Sequence, residues 1–208
     1  MTMLRILGRT TSSNVQKVLW TATTLGLEFT REDVGGKYGR NRDADYLALN
    51  PNGLVPTVFD GDLVMWESNS VSRYLCNKYG PNPAYPPDPG RRALVERWMD
   101  WQLSIMTPAL TPLYFLLYRL PEAQRTPEEI ARRAKDTFAP FAILEARLKH
   151  QPYLEGAAIS LADIGNGIWA HRWFAMGQGN RDSAVGAWLV RLSDNAAFRQ
   201  HVIEVGLE

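Results

Sequence analysis

The chain has 208 residues, with 23 Lys plus Arg against 22 Asp plus Glu, a formal net charge of +1. So even a balance offers no global field for nucleic acid or an anionic membrane, and the length suffices for one large domain or two small ones without disulfide support. A single cysteine, Cys76, excludes an internal disulfide, a CxxC redox pair and a multi-cysteine zinc site, and fits a reducing, cytoplasmic compartment.

The N-terminal MTMLRILGRT is too short in apolar residues for a signal peptide, and no apolar run reaches the roughly 18 residues of a membrane span. Met3 to Leu7 predicts a short strand. Val15, Val18, Leu19, Ala22 and Leu25 then recur at helical spacing until Gly26 stops the helix. A second strand is expected over Glu28 to Val34, then a polar stretch through Asn41 and a short helix from Asp43 to Leu49. Thr57-Val58-Phe59 and Leu63-Val64-Met65 flank Asp60-Gly61, a hairpin signal, since the turn needs residues that tolerate positive φ. A helix from Glu67 to Tyr79 completes the order βαβαββα.

Five prolines between Pro81 and Pro89 suit neither a helix interior nor a central strand, so residues 81–90 are read as a linker between domains spanning 1–80 and 91–208. Beyond it only helices are expected: Arg91 to Thr107, a continuation interrupted by Pro108 and Pro112, and Pro127 to His150 with a kink at Pro140. Ser160-Leu161-Ala162-Asp163 is a capping box, with a hydroxyl at the N-cap and a carboxylate three residues later, starting a helix to about Phe174. His150, His171 and His201 are too scattered for a metal site and read as surface or helix-end residues. Cys76 reads as buried and inert.

Three places carry candidate chemistry. Thr10-Thr11-Ser12-Ser13-Asn14 joins the first strand to the first helix. It can act simply as a cap, or as an anion site where free amides meet the helix dipole. A hydroxyl there can donate to a bound thiolate, and one charge-assisted hydrogen bond of roughly 1.5–3 kcal/mol lowers a thiol pKa by about one to two units. Leu54-Val55-Pro56-Thr57 enters a strand; with a cis Val55-Pro56 bond, the N–H and C=O of Val55 can turn outward to pair with an extended peptide. Glu67-Ser68 opens a helix, offering a hydroxyl and amides to a carboxylate and a carboxylate to an ammonium.

Together with Asn50-Pro51-Asn52-Gly53, Arg73-Tyr74-Leu75, the proline linker and the capping box, these segments resemble the cytosolic glutathione transferases of the serine type, in order and across essentially the whole chain. The resemblance implies a thioredoxin-like α/β N-terminal domain, an all-α C-terminal domain and glutathione as co-substrate, with no metal. It also implies Ser12 as activator of the glutathione sulfur with Asn14 nearby, Val55 and cis-Pro56 at the cysteinyl backbone, and Glu67 and Ser68 at the γ-glutamyl end. Ser12 is chosen over Thr10 and Ser13 by counting back from Lys17 and Val18. Lys37 and Arg40 are both open as partners of the glycyl carboxylate.

The electrophile pocket is expected between the domains, lined by Trp101, Ile105 and Met106, with Tyr114, Trp169 and Trp173 of similar standing. A homodimer is implied by the same resemblance. The reading is an enzyme that conjugates a small electrophile or reduces a peroxide. The alternatives are a glutathione-binding protein without turnover, and a glutathione-dependent disulfide reductase.

Overall fold

The computed structural model describes residues 3–207; Met1, Thr2 and Glu208, the outermost residues of the two expected domains, lie outside the described residues. Four short strands, β1 (Leu4–Leu7), β2 (Phe29–Glu32), β3 (Thr57–Asp60) and β4 (Leu63–Trp66), form one mixed sheet in the order β2-β1-β3-β4. β1 runs parallel to β2, with Leu4 opposite Phe29, and antiparallel to β3, with Ile6 opposite Val58. β3 and β4 close as a hairpin in which Asp60 faces Leu63, and Gly61 takes φ +61° in the two-residue turn, as a hairpin of this length requires.

Helices α1 (Ser13–Thr24), α2 (Ala44–Leu49) and α3 (Ser68–Tyr79) complete the order βαβαββα expected from the sequence. Leu4, Ile6 and Val58 from the sheet meet Val15, Val18 and Leu19 of α1 and Val71 and Leu75 of α3 in one apolar cluster. Gly80 to Asp88 then leads into α4 (Pro89–Trp101), with Pro89 in its first turn and Asp88 capping it through a hydrogen bond from the Arg91 amide at 2.8 Å.

The interruption expected near Pro108 takes a different form. A π turn over Gln102–Met106 joins α4 to α5 (Thr107–Tyr118), so the helical backbone runs on without a break through Pro108 and Pro112. α6 (Pro127–Leu148) likewise runs on through Pro140. α7 (Leu161–Ala175) crosses the centre of the helical half; α8 (Ala184–Ser193) and a short α9 (Ala196–Phe198), ending in a second π turn, pack beside it. The capping box is present: Asp163 accepts from the Ser160 amide at 2.9 Å and also from the Leu154 amide at 2.9 Å and Trp188 Nε1 at 3.0 Å. His201 lies at a helix end, one of the two readings it was given, but not at the surface. It is buried, with Nε2 2.7 Å from Thr23 Oγ1 on α1.

α1 belongs to both halves. Trp20, on its far side from the sheet, is fully buried in the helical cluster with its ring 4.9 Å from that of Phe198, and burial of a ring this size is worth about 1.5–3 kcal/mol. Lys17 lies at the same junction, 2 % exposed, donating to Asn69 Oδ1 of α3 at 3.0 Å and to Gln102 Oε1 of the π turn at 2.8 Å. Both acceptors are neutral amides. Burial therefore dominates and pushes the Lys17 ammonium down from 10.5 to about 7. Below about pH 7 the folded and unfolded chains both carry this charge, and its burial penalty is fully present. Between about 7 and 10.5 only the unfolded chain keeps the proton, so the stability attributable to Lys17 rises with pH. Denaturant unfolding of wild type and Lys17→Met across that range is expected to show their difference shifting in favour of wild type by up to about 1.4 kcal/mol per pH unit. Parallel pH profiles would contradict a buried, titrating lysine.

Candidate active site

Ser12 is the N-cap of α1, in extended backbone, and its Oγ accepts from the Val15 amide at 3.5 Å, the long end of a hydrogen bond. No acceptor for its hydroxyl proton lies within reach among the described residues. The tight entry depends on Gly8, where a Cβ would stand 2.4 Å from Val15 Cγ2. Asn14, the second residue of the helix, is exposed and accepts from Ser68 Oγ at 3.3 Å, which ties the start of α1 to the start of α3.

The Val55-Pro56 bond is cis. Leu54, just before it, has its carbonyl fixed by Tyr46 Oη at 2.6 Å and Asn50 Nδ2 at 2.8 Å, while Tyr46 itself accepts from Thr57 Oγ1 at 2.9 Å. The Asn50-Pro51-Asn52-Gly53 segment thus serves to hold the turn. Val55, by contrast, forms no hydrogen bond through its N–H or C=O with any described residue. Unpaired main-chain groups of this kind are the requirement for pairing with an added extended peptide.

Glu67 precedes α3 with φ +70° and ψ 99°, a conformation that costs a residue with a Cβ of order 1–3 kcal/mol. Its carboxylate is exposed, and Ser68 beside it is buried.

A cleft of about 540 Å³ opens between the β1–α1 loop and the helical half. Ser12, Asn14 and Val55 line it; Pro56, Glu67 and Ser68 are not part of that lining, though Ser68 is linked to it through Asn14. The helical wall differs from expectation. Trp101, Ile105 and Met106 do not line this cleft: Met106 is fully buried in the helical cluster, Trp101 packs edge-on against Trp98 at 5.3 Å, and Ile105 faces outward, 46 % exposed. The π turn shifts the helical phase there, so the wall begins one residue later, with Thr107, Thr111, Tyr114 and Phe115 of α5 and Trp169 of α7. Trp173 is occupied elsewhere, stacked on Phe141 at 3.7 Å.

Neither residue weighed for the glycyl carboxylate reaches this wall. Lys37 lies 5.6 Å from the Tyr38 ring, and Arg40 reaches toward Glu32 at 4.0 Å. Instead three arginines that sequence reasoning passed over line the cleft: Arg9 in the loop after β1, Arg119 at the end of α5 and Arg172 on α7. A signal existed for Arg172, the lone Lys or Arg in a helix that is buried along most of its length. Among the described residues no three His, Cys, Asp or Glu side chains converge as a metal site would need. Cys76 is buried, with its thiol pushed up to about 12 by burial, and is unsuited to act as a nucleophile.

The comparisons to known proteins bear on the family and the fold. Residues 11–78 match the family described as glutathione S-transferase, N-terminal domain. Over 204 residues, 97% of this chain and 98% of the relative, the sequence is 35% identical to glutathione S-transferase GstB of Escherichia coli (strain K12). A probable glutathione S-transferase of rice, GSTF2, is 31% identical over 79% of this chain and 78% of its own. Among solved structures, the theta class glutathione S-transferase of the citrus canker pathogen Xanthomonas axonopodis pv. citri, with glutathione bound, superposes with a TM-score of 0.92 at 40% identity over all of both chains. The chain belongs to the glutathione S-transferase family, with a thioredoxin-like N-terminal fold and a helical remainder.

Positive φ at a residue with a side chain is a testable burden. Glu67→Gly is expected to leave stability unchanged or raise it by up to about 2 kcal/mol in urea unfolding, since glycine relieves the strain while adding some chain entropy. Glu67→Ala, which keeps the strain, is expected to show no such gain. A Glu67→Gly variant less stable than Glu67→Ala would contradict the strained backbone.

Proposed function

We propose that this chain is a glutathione transferase that holds the tripeptide along the loop, turn and helix start described above and presents its sulfur to a small electrophile in the cleft. The observation that carries the reading is the coincidence of an uncommitted Ser12 hydroxyl at a helix N-terminus with the unpaired main chain of Val55 on one wall. Both requirements of a thiol-bearing peptide, an extended backbone partner and a donor to sulfur, are met on the same side of one cavity.

In this reading Val55 pairs through its N–H and C=O with the cysteinyl residue, and Pro56 sets the turn that exposes them. Glu67 offers its carboxylate to the γ-glutamyl ammonium, and Ser68 its hydroxyl and amide to the neighbouring carboxylate. Ser12 Oγ donates to the sulfur and stabilises the thiolate, aided by the positive end of the α1 dipole, while Asn14 holds Ser68 in register. The thiolate attacks the electrophile, and the leaving group departs with the bonding pair. In this reading the domain boundary lies at residues 81–90, and the two substrates meet where the two halves join. Exposed apolar side chains on both halves, Leu63 and Trp66 on β4 and Leu94 and Ile105 on the helical side, support a homodimer pairing the sheet half of one copy with the helical half of the other. The single buried thiol suits a cytoplasmic protein. No helix among the described residues is long and apolar enough to cross a membrane.

Steady-state conjugation of a chromogenic aryl halide near neutral pH tests the serine. Ser12→Ala is expected to lower kcat/KM about 10- to 100-fold, the loss of one to two pKa units at the thiol. A variant as active as wild type would remove Ser12 from the mechanism.

A further inference from the structure

The cleft is strongly cationic. Arg172, 4 % exposed, donates from Nη2 to the Thr11 carbonyl at 2.8 Å, with its Cζ 4.7 Å from the Tyr114 ring and 5.3 Å from that of Trp169. Arg119 Cζ lies 6.0 Å from the centre of the same tyrosine ring. Arg9 brings a third guanidinium, and its Nε is buried with no hydrogen-bond partner. Arg5, Arg31, Arg73 and Arg97 each pair with a carboxylate elsewhere in the molecule, whereas Arg9, Arg119 and Arg172 pair with none among the described residues.

Such a cluster works against itself. Burial first, and Arg119 second, hold the Arg9 guanidinium below its ordinary value; burial again leads for Arg172, with Arg119 and Arg9 adding to it. Guanidinium does not surrender its proton in a protein, so it cannot relieve this by becoming neutral, as a lysine or histidine would. Arg119 is exposed, so water screens part of this repulsion, and an anion held in the cleft offsets what remains between the two more buried guanidiniums. Arg119 and Arg172 come from the helical elements that also bring Tyr114, Phe115 and Trp169 to the cleft.

We propose that the electrophile itself is anionic, carrying a carboxylate or a like oxyanion that Arg119 and Arg172 hold with help from Arg9, while the rings of Tyr114, Phe115 and Trp169 cover its apolar body. This rests on the glutathione transferase reading above and specifies its substrate class. In the reaction a carbon–sulfur bond forms to the electrophilic carbon, the carbon–halogen bond breaks and halide leaves with the electron pair; nothing is oxidised or reduced. The oxyanion takes no part in the bond changes and stays against the arginines, fixing the angle of approach.

A chlorodinitrobenzoate and its chlorodinitrobenzamide isostere, each measured against its own uncatalysed reaction with glutathione, test the charge. Wild type is expected to accelerate the benzoate at least ~10-fold more than the amide, and Arg119→Gln and Arg9→Gln each to cut that preference ~10-fold, the range of one charge-assisted hydrogen bond. Equal acceleration of the two by wild type, or a preference unmoved in both variants, overturns the proposal. So does a rise in glutathione KM with both electrophiles at constant preference, which would make the arginines partners of the glycyl carboxylate instead. If neither compound is turned over, the transferase reading fails. Calorimetry with the two preformed glutathione conjugates then reads the charge preference without catalysis: tighter binding of the carboxylate conjugate supports the anion site, and equal or absent binding overturns it.

Discussion

Helix α1 is buried on both sides, and the geometry of the cleft follows from that. Its inner face, Val15, Val18 and Leu19, closes the core over the sheet; its outer face puts Trp20 into the helical cluster. A helix wedged in this way cannot slide or rotate without opening one core or the other. Its N-terminus, where Ser12 and Asn14 sit, is therefore held in a fixed position against α5 and α7. Lys17 and Arg172 reinforce the junction from either side, the first donating to Gln102 of the π turn and the second to Thr11 just before the cap.

The two reinforcing cations also show how differently buried charge can be accommodated. Lys17 meets only amide oxygens and can shed its proton, so its burial makes the junction sensitive to pH rather than permanently charged. Arg172 cannot shed its proton, and its charge is spread over the faces of Tyr114 and Trp169 and aimed along the cleft wall. A structural contact on one side of this guanidinium thus becomes an electrostatic feature of the site on the other.

Much of this was legible in the amino-acid sequence, because local rules and the tertiary answer agree in the sheet-containing half. Hydrophobic periodicity gave α1 and α3, Asp60-Gly61 gave the hairpin, and Ser160 with Asp163 gave the start of α7. The helical wall of the cleft was not legible. Trp101, Ile105 and Met106 were sound choices for an uninterrupted α-helix, but the π turn at Gln102–Met106 inserts an extra residue per turn and hands the wall to Thr107, Thr111 and Tyr114. Arg9 and Arg119 lie in a loop and at a helix end, where a cation reads as solvated. What makes them part of a site is the crossing of elements more than a hundred residues apart in sequence, which no local pattern encodes. The strained φ of Glu67 is similarly invisible, since nothing in Glu67-Ser68 distinguishes a capped helix start from one held in an unfavourable conformation.

The central claim is that the start of α1 lowers the pKa of a thiol bound beside it, and it is tested most directly by titrating that thiol. Ultraviolet thiolate absorbance of glutathione bound to the wild-type protein, followed against pH, is predicted to show an apparent pKa about one to two units below that of free glutathione, and Ser12→Ala to return it most of the way. Bound glutathione that titrates like the free tripeptide in the wild-type protein would contradict the account.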